Sequence, residues 1–347
     1  MIKRVLAIAL SLAAVCVLLC SSAAETTTPD ESLSVDVHAP VVAGDGAYID
    51  TTAKRMRILI IGNSHSIDAF HLLYMAYKDQ YPNTDLCLGI CHYNGASIDE
   101  HVRFARRNSK AYRYLKNEKG RWVITIKNTM KSVLRDEPWD VIMIQPAKED
   151  LADKTLNLSG RRALESKVDH WMRTPYKLMW HISWPSPNDE MFFSPDYVRQ
   201  PPKGYKDKLT RLYGFNPKTQ FSLMLRMTRA HILEDDTYYS AVCSGTSVMQ
   251  AHLEQGVPQS ELWRDYTHLS DYGRLMVGYA LVVQLTGCPI EEVGVDIIDK
   301  YSRHVQYRDL GDMTVTEEMK RSIVIAANHT LENAWVMPAD PTDTQEQ

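Results

Sequence analysis

Two short stretches hold residues whose types and spacing suit nucleophilic acyl transfer. In the first, Gly62-Asn63-Ser64-His65-Ser66 follows directly on the apolar run from Met56 to Ile61. In the second, Asp265 and His268 are separated by two residues, just ahead of Ser270. A serine hydroxyl is a weak nucleophile until a base takes its proton and a third group orients that base. Ser64, His268 and Asp265 together meet this need. In a turn or short 3₁₀ segment, residues three apart point to one side, so the carboxylate can hold one ring nitrogen while the other faces the serine. Both stretches also have plain structural uses. Ser64 and Ser66 suit a helix N-cap, and Asp265 with His268 suits a turn leading into a helix.

Positioning such groups calls for a rigid frame. Five apolar runs, at 56–62, 85–93, 139–146, 176–184 and 238–245, alternate with amphipathic segments at 66–80, 97–117, 127–137, 159–173, 216–234 and 270–286. Strands that are apolar throughout are covered on both faces, and helical crossovers between them make neighbouring strands parallel. The expectation is an α/β sandwich around a mostly parallel five-stranded sheet. Ligands of such sheets bind beyond the C-terminal strand ends, which is where Ser64 falls. Gly62 lets the chain turn there without a Cβ clash. A helix starting near Ser66 would aim free N–H groups at developing negative charge. The stretch 185–215, with Pro185, Pro187, Pro195, Pro201 and Pro202, is too irregular for a crossover helix and reads as an inserted loop beside the substrate. One further helix, 316–334, precedes a polar tail from Pro338.

The chain of 347 residues is 44% hydrophobic with a net charge of -4. It can bury a large core, and it lacks the basic footprint that nucleic acid requires. Lys3 and Arg4, an apolar run from Val5 to Leu19 and the small residues Ser21 to Ala24 have the form of an export signal, too short to be a stable transmembrane span. The expected organisation is a signal peptide at 1–24, a flexible linker at 25–54, the main domain at 55–290, and a helical extension with a polar tail at 291–347. The expected location is secreted or periplasmic, with lipid attachment at Cys20 as a second route. Cys87 and Cys91, on one strand, lie about 13 Å apart and beyond disulfide reach. No second close Cys/His pair completes a zinc set, so no metal or other cofactor is expected.

Taken together, "IGNSHS" and "DYTH" make the chain resemble the SGNH, or GDSL-type, hydrolase superfamily. They stand where that superfamily has its Gly-Asp-Ser block and its late Asp-x-x-His block. The stretch from 56 to 288 is similar to a secreted bacterial branch still catalogued as a domain of unknown function. That branch shows a "GNS" start, a "GxS" turn, a "WD…LQ" strand and a "HLSxxG" end, matched by Gly62-Asn63-Ser64, Gly95-Ala96-Ser97, Trp139 to Gln145, and His268-Leu269-Ser270 with Gly273. The resemblance implies a flavodoxin-like three-layer α/β/α sandwich with Ser64 as nucleophile, His268 as base and Asp265 as its partner. It also implies an oxyanion hole from the Ser64 N–H, a glycine N–H after the second strand, which Gly95 fits, and an asparagine amide after the third. No Gly-x-Asn-Asp is present, and Gln145 offers the same amide on one more methylene.

Further residues could contact substrate. His65 follows the nucleophile as a pocket residue or an exposed turn histidine, and His181 ends the fourth apolar run as a substrate contact or a structural histidine. Trp180, Trp184, Phe192 and Phe193 offer flat faces to a sugar or to the core. The expected function is a secreted serine esterase acting on a small-molecule or glycan ester, above all an O-acetyl group on carbohydrate. The alternative is a catalytically weak or inactive glycan-binding protein of the same fold. Metal-assisted hydrolysis through His65, Asp68, Asp265 and His268 ranks last, because a two-metal site needs a denser ligand set.

Overall fold

The computed structural model describes residues 36–37, 48–152, 158–233, 240–298 and 312–340. The expected signal peptide, Cys20, most of the expected linker and the end of the polar tail lie outside the described residues. Seven strands form one sheet in the order β4-β3-β2-β1-β5-β6-β7. They are β1 (Arg55–Gly62), β2 (Asp85–His92), β3 (Tyr112–Glu118), β4 (Arg121–Asn128), β5 (Val141–Ile144), β6 (Lys177–Ile182) and β7 (Ser240–Cys243). The strands β2, β1, β5, β6 and β7 are mutually parallel and correspond to the five apolar runs. From Ile58 to Ile61, β1 is at most 1% exposed, as a strand covered on both faces must be.

The sheet departs from expectation at one edge. Strands β3 and β4 pair antiparallel to β2 and to each other, making the sheet seven-stranded and mixed where five mostly parallel strands were expected. The helix expected over 97–117 stops at Arg106, and the chain returns as a hairpin through Lys119 and Gly120, both at positive φ. Such a pair makes the two-residue turn whose twist suits a hairpin. Strand β4 alternates half-buried and exposed residues, the period-two pattern of a strand with one wet face, which helical periodicity masks in a short window.

Helices cover the sheet in two packed groups. One contains α1 (Ser64–His71), α2 (Leu73–Gln80), α9 (Gly245–Leu253), α11 (Asp271–Thr286) and α12 (Glu317–Asn333). The other contains α3 (Ile98–Arg106), α4 (Met130–Leu134) and α6 (Leu158–Trp171). The short helices α5 (Lys148–Ala152) and α10 (Gln259–Leu262) and the helices α7 (Tyr205–Tyr213) and α8 (Pro217–Thr228) belong to the connections around the strand ends. The stretch 185–215 is therefore not loop throughout, since Tyr205–Tyr213 closes it as a helix between Gly204 and Gly214. Every residue of α11 is buried, with α12 packed on it as well as α1, α2, α9 and α10. A helix apolar all round must be buried, so the residues after 290 complete the core. No helix among the described residues is long and apolar enough to cross a membrane.

Candidate active site

Strand β1 lies between β2 and β5, so the chain leaves it in opposite directions along the sheet. This is the switch point where open α/β sheets leave a crevice at their C-terminal edge. Ser64 begins α1 immediately beyond β1, Asn94 and Gly95 follow β2, and Ala147, Lys148, Glu149 and Asp150 follow β5. All of them line one cavity of about 480 Å³, together with Thr267 and His268 from the segment ahead of α11. The crevice therefore gathers segments up to two hundred residues apart in the chain.

The turn holding Ser64 is built from beneath. Asn63 is the N-cap of α1: its side-chain oxygen accepts from the His65 N–H at 3.0 Å, and its amide donates to the Ala96 carbonyl at 3.3 Å. One side chain thus caps α1 and ties it to the Gly95 turn. Below, Gln145 Oε1 accepts from the Asn63 N–H at 3.2 Å and from the Ser66 hydroxyl at 2.8 Å, while its Nε2 donates to the Pro146 carbonyl. Gly62 is required by this close approach, because a Cβ there would sit 2.2 Å from Ser66 Oγ and 2.7 Å from Gln145 Oε1. Gly95 has φ +66 with nothing near its missing Cβ, so the backbone conformation asks for glycine and the turn stays open to the cavity.

The second segment is held as firmly. Asp265 Oδ1 accepts from the Thr267 N–H at 2.9 Å and the His268 N–H at 2.8 Å, and both carboxylate oxygens lie 3.0 Å from His268 Nδ1. An ionised carboxylate only accepts, so Nδ1 carries the proton and Nε2 presents a lone pair. His268 Nε2 is buried and has no hydrogen-bond partner among the described residues, Ser64 included. Both groups line the cavity without being bonded across it, and catalytic hydrogen bonds commonly tighten only once substrate is bound. Burial lowers the pKa of His268 from its ordinary value, against the opposing pull of Asp265. Burial also pushes Asp265 upward, but the hydrogen bond and charge of His268, with Arg199 and Arg264, hold it below its ordinary value overall.

Asp68 anchors this segment to α1. It lies one helical turn past Ser64 and accepts from Arg264 Nη2 at 3.1 Å, Arg274 Nη2 at 2.8 Å and the Leu269 N–H at 3.0 Å. Burial would raise its pKa, yet the two guanidinium groups hold it well below the carboxylate range. A spacing argument could suggest Asp68 only as a metal ligand. Its actual partners lie about two hundred residues away, and no local pattern signals them.

The remaining candidates separate clearly. His65 is 4% exposed, not an exposed turn residue: Nδ1 meets Ser183 Oγ at 2.9 Å, Nε2 meets Thr267 Oγ1 at 3.1 Å, and the ring stacks on Trp184 with centroids 4.7 Å apart. Burial, reinforced by the charge of Lys148, sets its pKa well below the ordinary value. His181 is fully buried beside Ser244, outside the cavity lining, and burial lowers its pKa to about 3. Trp180, Trp184 and Phe192 are core residues at 0% exposure, and Phe193 packs edge-on against Phe215. Gln145, which the resemblance places in the oxyanion hole, donates through its amide to the Pro146 carbonyl and is not among the residues that line the cavity. Lys148, which sequence reasoning missed, lies inside that cavity although only 2% exposed.

Elsewhere, Cys87, Glu118 and Glu137 are the one set among the described residues close enough to hold a metal ion. Lys116 and Arg55 already pair with both carboxylates, and burial pushes the Cys87 thiol up to about 12, so the donor set does not suit a cation.

No protein-family model matches this chain, and no curated protein matches it. Among solved structures, a DUF4886 family protein from Bacteroides uniformis is similar at a TM-score of 0.64 and 21% identity, over 83% of this chain and 99% of that one. An acetyl xylan esterase from Geobacillus stearothermophilus aligns at a TM-score of 0.43 and 10% identity, over 70% of this chain and 100% of that one. The first likeness shows the fold: an α/β sandwich with a central mixed seven-stranded sheet flanked by helices.

Proposed function

We propose that this chain is a serine esterase of the SGNH kind, acting through Ser64, His268 and Asp265 on a small acyl ester. Ser64 Oγ bonds to the ester carbonyl carbon, the carbonyl electrons move onto oxygen, and the serine proton passes to His268 Nε2. Collapse of the tetrahedral intermediate breaks the bond to the alcohol, which leaves with that proton. Water then repeats the sequence and releases the acid. Asp265 holds the Nδ1 proton of His268 throughout, and the N–H groups of Ser64 and Gly95 stabilise the oxyanion.

The observation that carries this reading is the His268 ring. One nitrogen is held by a carboxylate, and the other is buried and unpartnered in a ring that lines the same cavity as a serine at a helix N-terminus. A buried polar atom left unsatisfied is rare and asks for a reason. An acetylated carbohydrate is the proposed substrate, because the cavity is small and offers Asn94, Ser97, Glu149 and Tyr205 to hydroxyl groups. The export-type stretch at 1–24 supports a secreted or periplasmic location, with Cys20 as a second means of anchorage.

The test is labelling with a fluorophosphonate followed by peptide mass spectrometry, alongside turnover of p-nitrophenyl acetate with and without a chelator. The expected result is an adduct on Ser64 and turnover that Ser64→Ala abolishes and the chelator leaves unchanged. A chain that binds glycan but neither turns over ester nor takes the label would instead be the catalytically silent binding protein. The observation favouring that second reading is that Gln145, the expected third oxyanion donor, is not among the residues that line the cavity.

A further inference from the structure

We infer that the ammonium group of Lys148 supplies the third oxyanion contact in this cavity, in place of the amide that Gln145 has turned into the turn. The inference rests on the esterase reading and names a residue which that reading lacks.

Four observations carry it. Lys148 follows β5, the strand beside β1 at the switch point, so its segment reaches the crevice from the side opposite the Gly95 turn. Its side chain is 2% exposed yet lines the cavity shared with Ser64, Gly95 and His268. Its Nζ donates to Ser186 Oγ at 2.7 Å and to Thr267 Oγ1 at 2.8 Å, leaving one of its three N–H bonds uncommitted among the described residues. Both acceptors are neutral hydroxyls, and no carboxylate of the described residues pairs with it. A buried ammonium without a paired anion is costly, and negative charge developing on a substrate oxygen would relieve that cost.

The surroundings hold the group in place. Thr267 Oγ1, which accepts from Lys148, also meets His65 Nε2, and His65 Nδ1 meets the Ser183 hydroxyl. Ser186 Oγ meets the Tyr205 hydroxyl at 2.9 Å, and that hydroxyl donates to Glu149 at 3.2 Å. The charged and titratable groups around Lys148 are Glu149 and Asp150 on its own helix, Asp265, Tyr266 and His268 ahead of α11, His65 on α1, Arg199 ahead of α7, and Tyr205 and Lys208 on α7. Burial lowers the pKa of Lys148 to about 8; Glu149 and Asp265 oppose that shift, and Lys208 adds to it. Burial raises Tyr205 well above its ordinary value and lowers both His65 and His268, moving them away from the range near 8 to which it brings Lys148.

The experiment is the pH dependence of kcat for p-nitrophenyl acetate, a neutral ester that needs no cation for recognition, in the wild type and in Lys148→Met and Lys148→Arg. Wild-type kcat should fall through a limb near pH 8. Lys148→Met should lose about 10²- to 10³-fold in kcat with little change in KM and show no alkaline limb, while Lys148→Arg keeps the charge and loses less. Unchanged kcat in Lys148→Met, or persistence of its alkaline limb, overturns the inference. If Lys148→Met does not fold by circular dichroism, a wild-type kcat that stays flat through the same limb overturns it alone. Fluorophosphonate labelling of wild-type Ser64 separates the two failures. A labelled serine with an indifferent Lys148 removes only the third contact, whereas no label on Ser64 removes the esterase reading and this inference with it.

Discussion

His65 and His268 lie side by side, with ring centroids 6.0 Å apart, and both are buried, yet they are built for different work. His65 has a partner on each nitrogen and a tryptophan under its ring. His268 has a carboxylate on one nitrogen and, among the described residues, no hydrogen-bond partner on the other. A fully satisfied imidazole suits a structural strut, and a ring that lines the cavity with one nitrogen left over suits the proposed base. The difference teaches that the count of filled hydrogen-bond positions, more than burial or nearness to the nucleophile, separates the two roles.

The largest effect should come from setting the two histidines against each other. His268→Gln is expected to lower kcat for p-nitrophenyl acetate by about 10⁴-fold, and His65→Gln, which can still bond one hydroxyl, by no more than about tenfold. Equal losses would erase the distinction. Next is the clamp that holds the His268 segment and has no counterpart at His65. Asp68→Ala leaves the guanidinium groups of Arg264 and Arg274 buried without their shared carboxylate and should cost about 3–5 kcal/mol in urea unfolding. The folded-state pKa of Asp68 is depressed, so its stabilisation is fully present above the unfolded value of about 3.9 and is lost as pH falls through the folded value. Wild type and variant should therefore differ most near neutrality and converge in strong acid.

The acid limb of kcat/KM sharpens the comparison further. The base must be neutral, and burial lowers the pKa of His268, so activity should rise with pH through a midpoint below about 6.5. A midpoint above that value would mean that Asp265, and not burial, governs the ring. The smallest effect is expected at Gln145. Gln145→Ala leaves the Asn63 N–H and the Ser66 hydroxyl without their acceptor and should cost about 1–3 kcal/mol in stability. Its effect on kcat should be far smaller than that of Lys148→Met, and a larger one would return the oxyanion role to the amide.

Much of the frame was legible from local pattern. The five parallel strands announce themselves as uninterrupted apolar runs, because burial on both faces leaves no polar alternation to confuse them. The hairpin of β3 and β4 was not legible, since an edge ribbon with one wet face carries a weaker signal than the helix before it. The helical nature of α11 is visible in its residues, but its burial on every side depends on α12, which returns to it from beyond residue 290. Ser64, Gly95 and His268, which line one cavity, and Asp265, which holds His268, could be singled out from short motifs because each sits in its own local backbone turn. Lys148 and Asp68 could not, because their partners come from other segments of the chain.

The sequence alone determined the five parallel strands, the turn at Ser64 and the pairing of Asp265 with His268, all products of apolar periodicity and spacing within a few residues. Tertiary structure alone decided that Gln145 supports the turn, that His65 is a strut and that Lys148 enters the cavity. Those outcomes depend on which buried donors and acceptors meet across the fold, and a buried polar group takes its role from the partner that satisfies it.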